Sequence, residues 1–409
     1  MLKTKYLSIF LLIILGGYTF RYGVLPAWNN INSDFPNYYT SSRLLIEGKN
    51  LSKIYDDDWF NQQIKNYGIN ERGKFSPFPP PTAFVMVPIA FFDPITAKRI
   101  FIIINLFIIL GIAYIFNKIS TFNYITCLNI ILISGAAIIN NFLLGQVYLL
   151  LLFTITLGYF YLRKENAYST GFLWGIGAAV KYFPIIYMPI LLIKKKWKGV
   201  ISFIITIIII NLITFFFMGH EVYRQFFNQV LFSHINGELS NQSKYAVQFQ
   251  SWNSFLRILF IADPIENKMP LINSPSAFFI SRILVYIIFT ALTTFVIYKI
   301  RNDKNFLPYS SAMLTLLLLV ISPASATYHL LILAFPLVLL LTISAGQKKN
   351  LYSTIFVSIY ILIAYLPFII YKVSFLKENL LFSFYRLWFL VIFFGVAVKF
   401  ILTSREQNR

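Results

Sequence analysis

Long apolar runs separated by short basic turns dominate this chain and predict a bundle of membrane-spanning helices. Runs of about 17 to 25 residues are long enough to cross a bilayer. They fall near 6–25, 97–117, 122–139, 143–162, 199–218, 277–299, 306–326, 328–345, 351–371 and 380–402. Residues 83–92 are too short to span and carry Pro88, so a juxtamembrane helix is expected there. Segment 169–193 is apolar but holds Lys181-Tyr182-Phe183-Pro184 at its middle. Proline lacks a backbone donor and disfavours helix at the residue before it. The segment is therefore expected as two short helices meeting at Lys181–Pro184. Broken helices at membrane depth occur where they line a protein-enclosed cavity. One kinked span is the alternative, and it inverts everything downstream.

Composition fixes the class. The chain is 58% hydrophobic and 12% charged over 409 residues, where soluble domains carry roughly 25% charged residues. The expected fold is an all-α integral membrane protein, a single domain over 1–409 with about 10 full spans plus the broken pair. Two long polar loops interrupt it, at 26–96 and 219–276. The net charge of +20 resides in short turns, where topology explains it better than nucleic acid. Lys3 and Lys5 place the N-terminus in the cytoplasm, and the first apolar run reads as a retained helix. By alternation, Lys118, Arg163-Lys164, Lys194 to Lys196, Lys299 to Lys304, Lys348-Lys349 and Arg405 also fall inside. Only Glu165, Asp303 and Glu406 of the 15 acids join them. Both flanks of 169–193 are basic, so a broken pair that returns to its starting side suits them. Cys127 is the one cysteine, which excludes an intrachain disulfide.

Polar chemistry gathers on the opposite face. Asp34, Lys98, Arg99, Gln146, His220, His234, His329 and Asn241-Gln242-Ser243 all fall outside, and Lys181 points the same way. An acid at the rim of a bilayer is costly unless water, a cation or a substrate needs it. Asp34 also reads as an N-cap for the helix expected through Tyr38 to Ile46. Lys181 reads either as a site cation or as a snorkelling residue. Asp56-Asp57-Asp58 fits a solvated helix start more readily than a metal site. Asn241-Gln242-Ser243 is a sequon by pattern that need not be used. No phosphate-cradling glycine loop is present, so a donor, if the chain uses one, is expected to be carried by lipid.

Four stretches carry a family resemblance. They are Asp34-Phe35-Pro36-Asn37-Tyr38-Tyr39 with Glu47 to Asn50 and Ile54 to Asp56; Phe75 to Pro81 with Pro88; Gly145-Gln146-Val147-Tyr148 leading to Gly171, Gly175 and Lys181 to Pro184; and Asn241 to Ser243 with Ser322-Pro323 and Tyr328-His329. In order and spacing they resemble the GT-C membrane glycosyltransferases, and among them the polyprenyl-phosphate-mannose-dependent family GT87. The family usually has Tyr where this chain has Phe78, and Asn is common where it has Tyr148.

The resemblance implies a hexosyltransferase, with mannose the expected sugar. Its donor is a polyprenyl-phosphate sugar and its acceptor a glycolipid or lipid-linked glycan. An inverting single displacement with Asp34 as general base needs one carboxylate, unlike glycoside hydrolysis. Lys181, then His329, Lys98 and Arg99, are the expected phosphate contacts. Tyr38, Gln146, Tyr148, Asn241, Gln242, Ser243 and Tyr328 are expected around the substrates. No metal or other cofactor is expected. The location is a cell inner or plasma membrane, with both termini cytoplasmic and the site outside. A flippase of lipid-linked sugars and a polysaccharide polymerase or ligase are the alternatives.

Overall fold

A computed structural model describes residues 2–238, 242–366 and 379–406, with side chains from 6 to 404. Among the described residues no β-strand forms; only an isolated bridge joins Asp263 and Asn267. The chain opens with α1 (Leu2–Thr19), which runs through a π-turn at Phe20–Val24 into α2 (Leu25–Asn29). The first polar loop holds α3 (Phe35–Ile46) and α4 (Asp57–Asn66). Asp56 caps α4 by accepting from the Asp58 and Trp59 amides, which gives the acidic run a structural role. The expected juxtamembrane helix at 83–92 is not there. A 3-10 turn at Pro80–Phe84 is followed by successive turns. Pro79, Pro80, Pro81 and Pro88 lack the amides that a helix would need.

Helix α5 (Pro94–Ile119) follows, started by Asp93, whose side chain accepts from the Thr96 amide. The run read as one span at 122–139 is two helices, α6 (Tyr124–Leu132) and α7 (Ala136–Leu144), bent by 74°. Gly135, at φ +53, makes the bend. Next come α8 (Tyr148–Arg163) and α9 (Ala167–Val180), then a 3-10 turn at Phe183–Tyr187 and α10 (Met188–Ile193). The chain leaves α9 at Val180 and enters the 3-10 turn at Phe183. Glu165 and Lys196, from the two flanks of this segment, form an ion pair, so the chain returns to the end of the bundle from which it left.

Helix α11 (Trp197–Met218) packs along α9. A Cβ on Gly171 would meet the Gly199 carbonyl and lie 2.8 Å from the Phe203 amide nitrogen. Gly171 and Gly175 thus permit close helix approach. The outward face of α11 is aliphatic, with Ile201, Ile204, Ile208 and Leu212 exposed, while Ser202 and Thr206 are buried. That inverted pattern is expected of a helix facing lipid.

The second polar loop contains α12 (His220–Gln225), α13 (Leu231–Ile235) and α14 (Trp252–Phe260). Gln225 Nε2 donates to the Ser52 carbonyl at 2.7 Å, so both polar loops share one end of the bundle. The remainder is α15 (Pro275–Ile300), α16 (Phe306–Val320), a 3-10 turn at Thr327–Leu333, α17 (Ala334–Gly346), α18 (Asn350–Tyr365), α19 (Leu380–Ser383) and α20 (Tyr385–Glu406).

Among the described residues six helices are long and apolar enough to span, or seven with the bent pair, against the ten expected. Helices α8, α16 and α18 hold 15 or 16 residues. At about 24 Å or less they fall short of the roughly 30 Å hydrocarbon core. The shortfall has a location: α7 and α9 end, and α8 begins, at one shared cavity, and the residues just past α16 line it too. At the other end Arg163 Nη1 donates to the Ile119 carbonyl at 2.6 Å, and Lys194 Nζ sits 4.3 Å from the Phe306 ring centre. Lys349 Nζ likewise reaches Ser404 Oγ at 3.0 Å. The basic turns therefore gather opposite the cavity.

Candidate active site

Asp34 precedes α3 but does not cap it through its side chain. Its Oδ2 instead accepts from Gln146 Nε2 at 2.8 Å. Gln146 Oε1 in turn accepts from Tyr38 Oη at 2.7 Å. Gln146 is placed by the turn that closes α7. Gly145 there is left-handed (φ +67), and the Gln146 amide returns to the Asn141 carbonyl at 2.9 Å, a C-terminal cap that only glycine adopts without strain. A Cβ at Gly145 would also lie 2.8 Å from Phe35 Cβ and 2.9 Å from Lys98 Nζ. Gly145→Ala is accordingly expected to cost at least about 1–2 kcal/mol from the left-handed backbone alone. A lowered thermal midpoint of the purified protein checks this; an unchanged midpoint contradicts it.

The carboxylate faces a cavity of about 310 Å³. Lys74, Lys181, His234, His329, Tyr148 and Tyr328 stand around it, with Gln242 at its edge. Among the described residues lining it, Asp34 is the one carboxylate. Lys181 follows the last turn of α9 in extended backbone (φ −146, ψ 126). Its Nζ lies 3.8 Å from the Phe78 ring centre, 5.6 Å from Tyr148 and 5.7 Å from Tyr38. The two positions where the chain departs from its resemblance, Phe78 and Tyr148, thus meet on the same ammonium. Aromatic faces attract a cation, and these three rings hold the ammonium beside the cavity. The His329 ring stacks on Tyr148 at 4.7 Å, and its Nδ1 is buried without a partner among the described residues.

Burial and charge oppose each other at Asp34. It lies deep among protein atoms while part of its surface stays open to the cavity. Desolvation raises its pKa above the ordinary carboxylate value, and the Gln146 hydrogen bond, Lys181, Lys74 and Lys98 pull it back. A carboxylate so placed is more basic than an exposed one. Burial lowers Lys74 to about 8, against the pull of Asp57 and Asp34. Burial, with Lys181 and Lys74, lowers His234 to about 4, so its imidazole is neutral at pH 7.

The expected site residues divide. Asp34, Gln146, Tyr148, Lys181, Gln242, Tyr328 and His329 come together. Tyr38 is fully buried behind Gln146 and stacks on Phe78 at 4.8 Å, a positioning role. Lys98 is buried behind Gly145 and donates to the Leu143 carbonyl at 3.0 Å, so it satisfies a helix end. Arg99 turns away, with Nε on the Trp28 carbonyl at 3.2 Å and its guanidinium over the Trp28 ring. Ser243 lines a neighbouring cleft with Arg257 and Glu266. Asn241 lies outside the described residues. Lys74, His234 and Asn37 were not expected. Lys74 immediately precedes the Phe75 to Pro81 stretch, which is the one signal that pointed to it. Asn37 Oδ1 accepts from the Lys74 amide at 2.7 Å and holds that stretch over Asp34.

One base, clustered cations and a neutral imidazole suit attack by a hydroxyl with departure of an anion. A search among curated proteins finds none that matches the chain. A family model described as glycosyltransferase family 87 matches residues 77–323. The matched stretch includes Gln146, Tyr148, Lys181, His234 and Gln242; Asp34 and Lys74 precede it, and Tyr328-His329 follow it. The chain is a membrane glycosyltransferase by family and belongs to glycosyltransferase family 87.

Proposed function

We propose that the protein transfers a hexose, with mannose the first choice, from a polyprenyl-phosphate sugar to a glycolipid or lipid-linked glycan. Transfer occurs at the extracytoplasmic face of the cell inner or plasma membrane, with both termini cytoplasmic. The observation that carries this reading is the Asp34 carboxylate, free of a capping role and facing the same cavity as Lys181 and Lys74.

The acceptor oxygen bonds to the anomeric carbon as the carbon–oxygen bond to phosphate breaks. Asp34 takes the hydroxyl proton, and the bonding electrons leave with the polyprenyl phosphate. Gln146 orients the carboxylate, and Tyr38 holds Gln146. Lys181, Lys74 and His329 face the phosphate, where negative charge grows. Because phosphate already leaves well, no acid and no metal or other cofactor is required. A single displacement inverts the anomeric centre. The gathering of basic turns at the far end supports an outward-facing cavity.

Transport is the second reading. Beneath the cavity the bundle is filled by apolar side chains such as Leu152, Leu316, Phe335 and Leu337. That filling favours chemistry on one side over passage through the protein. The test is incubation of the purified chain in lipid discs with radiolabelled polyprenyl-phosphate-mannose and lipid extract, with the product's anomeric configuration read by NMR. Label in a new lipid or glycan with inverted configuration is expected. Retained configuration, or label that only changes leaflet in sealed vesicles, contradicts the reading.

A further inference from the structure

Asp34 is bordered by open space on two sides. A second cleft, of about 540 Å³, also reaches Asp34 and shares Ser33, Asn37, Lys74 and Gln242 with the first cavity. Its own walls come from Asp58, Asn61, Gln62 and Lys65 on α4, and from Arg72 and Gly73. Among the described residues lining it, none is aromatic or aliphatic. The first cavity, by contrast, presents Phe78, Tyr148, Tyr182, Phe183 and Tyr328. The walls of the second cleft are braced. Asn61 Nδ2 donates to the Gly73 carbonyl at 2.9 Å, and Asn61 Oδ1 accepts from the Gly73 amide at 3.0 Å.

In a displacement the base sits on the acceptor side of the reacting carbon, opposite the leaving group. The two spaces that meet at Asp34 differ in what they can solvate. Amide, guanidinium, ammonium and carboxylate groups replace water around hydroxyls. A lipid tail finds no aromatic or aliphatic residue there and leaves those polar groups without partners, which is costly. We infer that the second cleft is the acceptor subsite and that it receives the hydroxyl-rich end of a saccharide arriving from water, not a lipid alcohol arriving from the bilayer. The inference rests on the transferase reading of Asp34. The attacking hydroxyl lies in this cleft, its proton goes to Asp34, and the phosphate leaves on the side of the first cavity.

The test uses the full chain in lipid discs and has two readouts. Gln62 and Arg72 are exposed, and the native Cys127 is buried. A maleimide therefore reads a thiol introduced as Gln62→Cys or Arg72→Cys. Saturating mannobiose, maltose or lactose is expected to slow labelling of both thiols by about tenfold, while dioleoylglycerol in the disc has no effect. Failure of all three sugars to protect, or protection by dioleoylglycerol alone, overturns the proposal. The second readout is kinetic. Gln62→Trp or Arg72→Trp is expected to raise KM for a labelled mannobiose acceptor about tenfold, with KM for polyprenyl-phosphate-mannose unchanged. A rise in donor KM instead gives the cleft to the donor and overturns the assignment. Sugar protection without any transfer would keep the saccharide cleft and remove the transferase chemistry, so the two failures are distinguishable.

Discussion

Asp34→Asn is expected to lower sugar transfer by about 10²- to 10⁴-fold, the usual share of a general base, with the fold intact. Asparagine has the same shape, and its carbonyl oxygen can still accept from Gln146 Nε2. No side-chain cap of α3 is lost, because Asp34 makes none. The substitution also removes a charge whose desolvation opposes burial. What disappears is the basicity that takes the acceptor's proton. The check is initial transfer rate at equal protein level, beside the thermal midpoint. A variant that transfers at the parental rate would return Asp34 to a structural role. A collapsed midpoint would show that its charge maintains the cavity instead.

Lys181→Met is expected to have the next largest effect, about 10²- to 10³-fold on transfer, the scale for one group stabilising developing charge. Methionine matches the length of the lysine stem and keeps packing against Phe78, Tyr38 and Tyr148, so the loss isolates the charge. A second consequence follows at Asp34. Lys181 is among the charges that lower the Asp34 pKa, and its removal lets that pKa climb. The proton-accepting form of Asp34 then appears only at higher pH. The variant should lose rate at every pH and lose most on the acid side. A uniform loss across pH would mean that Lys181 and Asp34 do not sense each other.

Much of this was legible in the chain because lipid imposes one strong rule: long apolar runs become helices. The runs at 97–117, 199–218 and 277–299 correspond to α5, α11 and α15, each extended by a few residues through caps such as Asp93 and Ser274. The break at Lys181–Pro184 was visible because proline acts locally. The bend at Gly135 was not, since Ser134-Gly135 barely lowers the hydropathy of its run. The same blindness inflated the number of spans. An apolar run does not reveal that a helix such as α16 stops at 15 residues beside a cavity inside the protein.

The site shows a parallel division. Asp34, Lys181 and Gln146 stood out as polar residues at costly positions. Sequence position could place Lys98 and Arg99 at a helix end near the same face. It could not show that the Leu143 and Trp28 carbonyls absorb them. Those are contacts between residues 45 and 71 positions apart. Lys74 had the opposite history: an ordinary loop lysine in sequence, drawn to Asp34 only by the Asn37 and Asn61 bonds that fold the loop back.

The most direct test of the account is the pH dependence of single-turnover transfer in the parent and in Asp34→Asn. In the parent the rate should rise with pH as Asp34 loses its proton, at a pH above that of an ordinary carboxylate, because burial raises it. It should then fall as Lys181 and Lys74, the latter brought down to about 8, lose the charges that face the phosphate. In Asp34→Asn the acid limb should vanish, leaving a small rate that is flat on that side. An acid limb that persists unchanged in the variant would contradict the account and place the base on another residue.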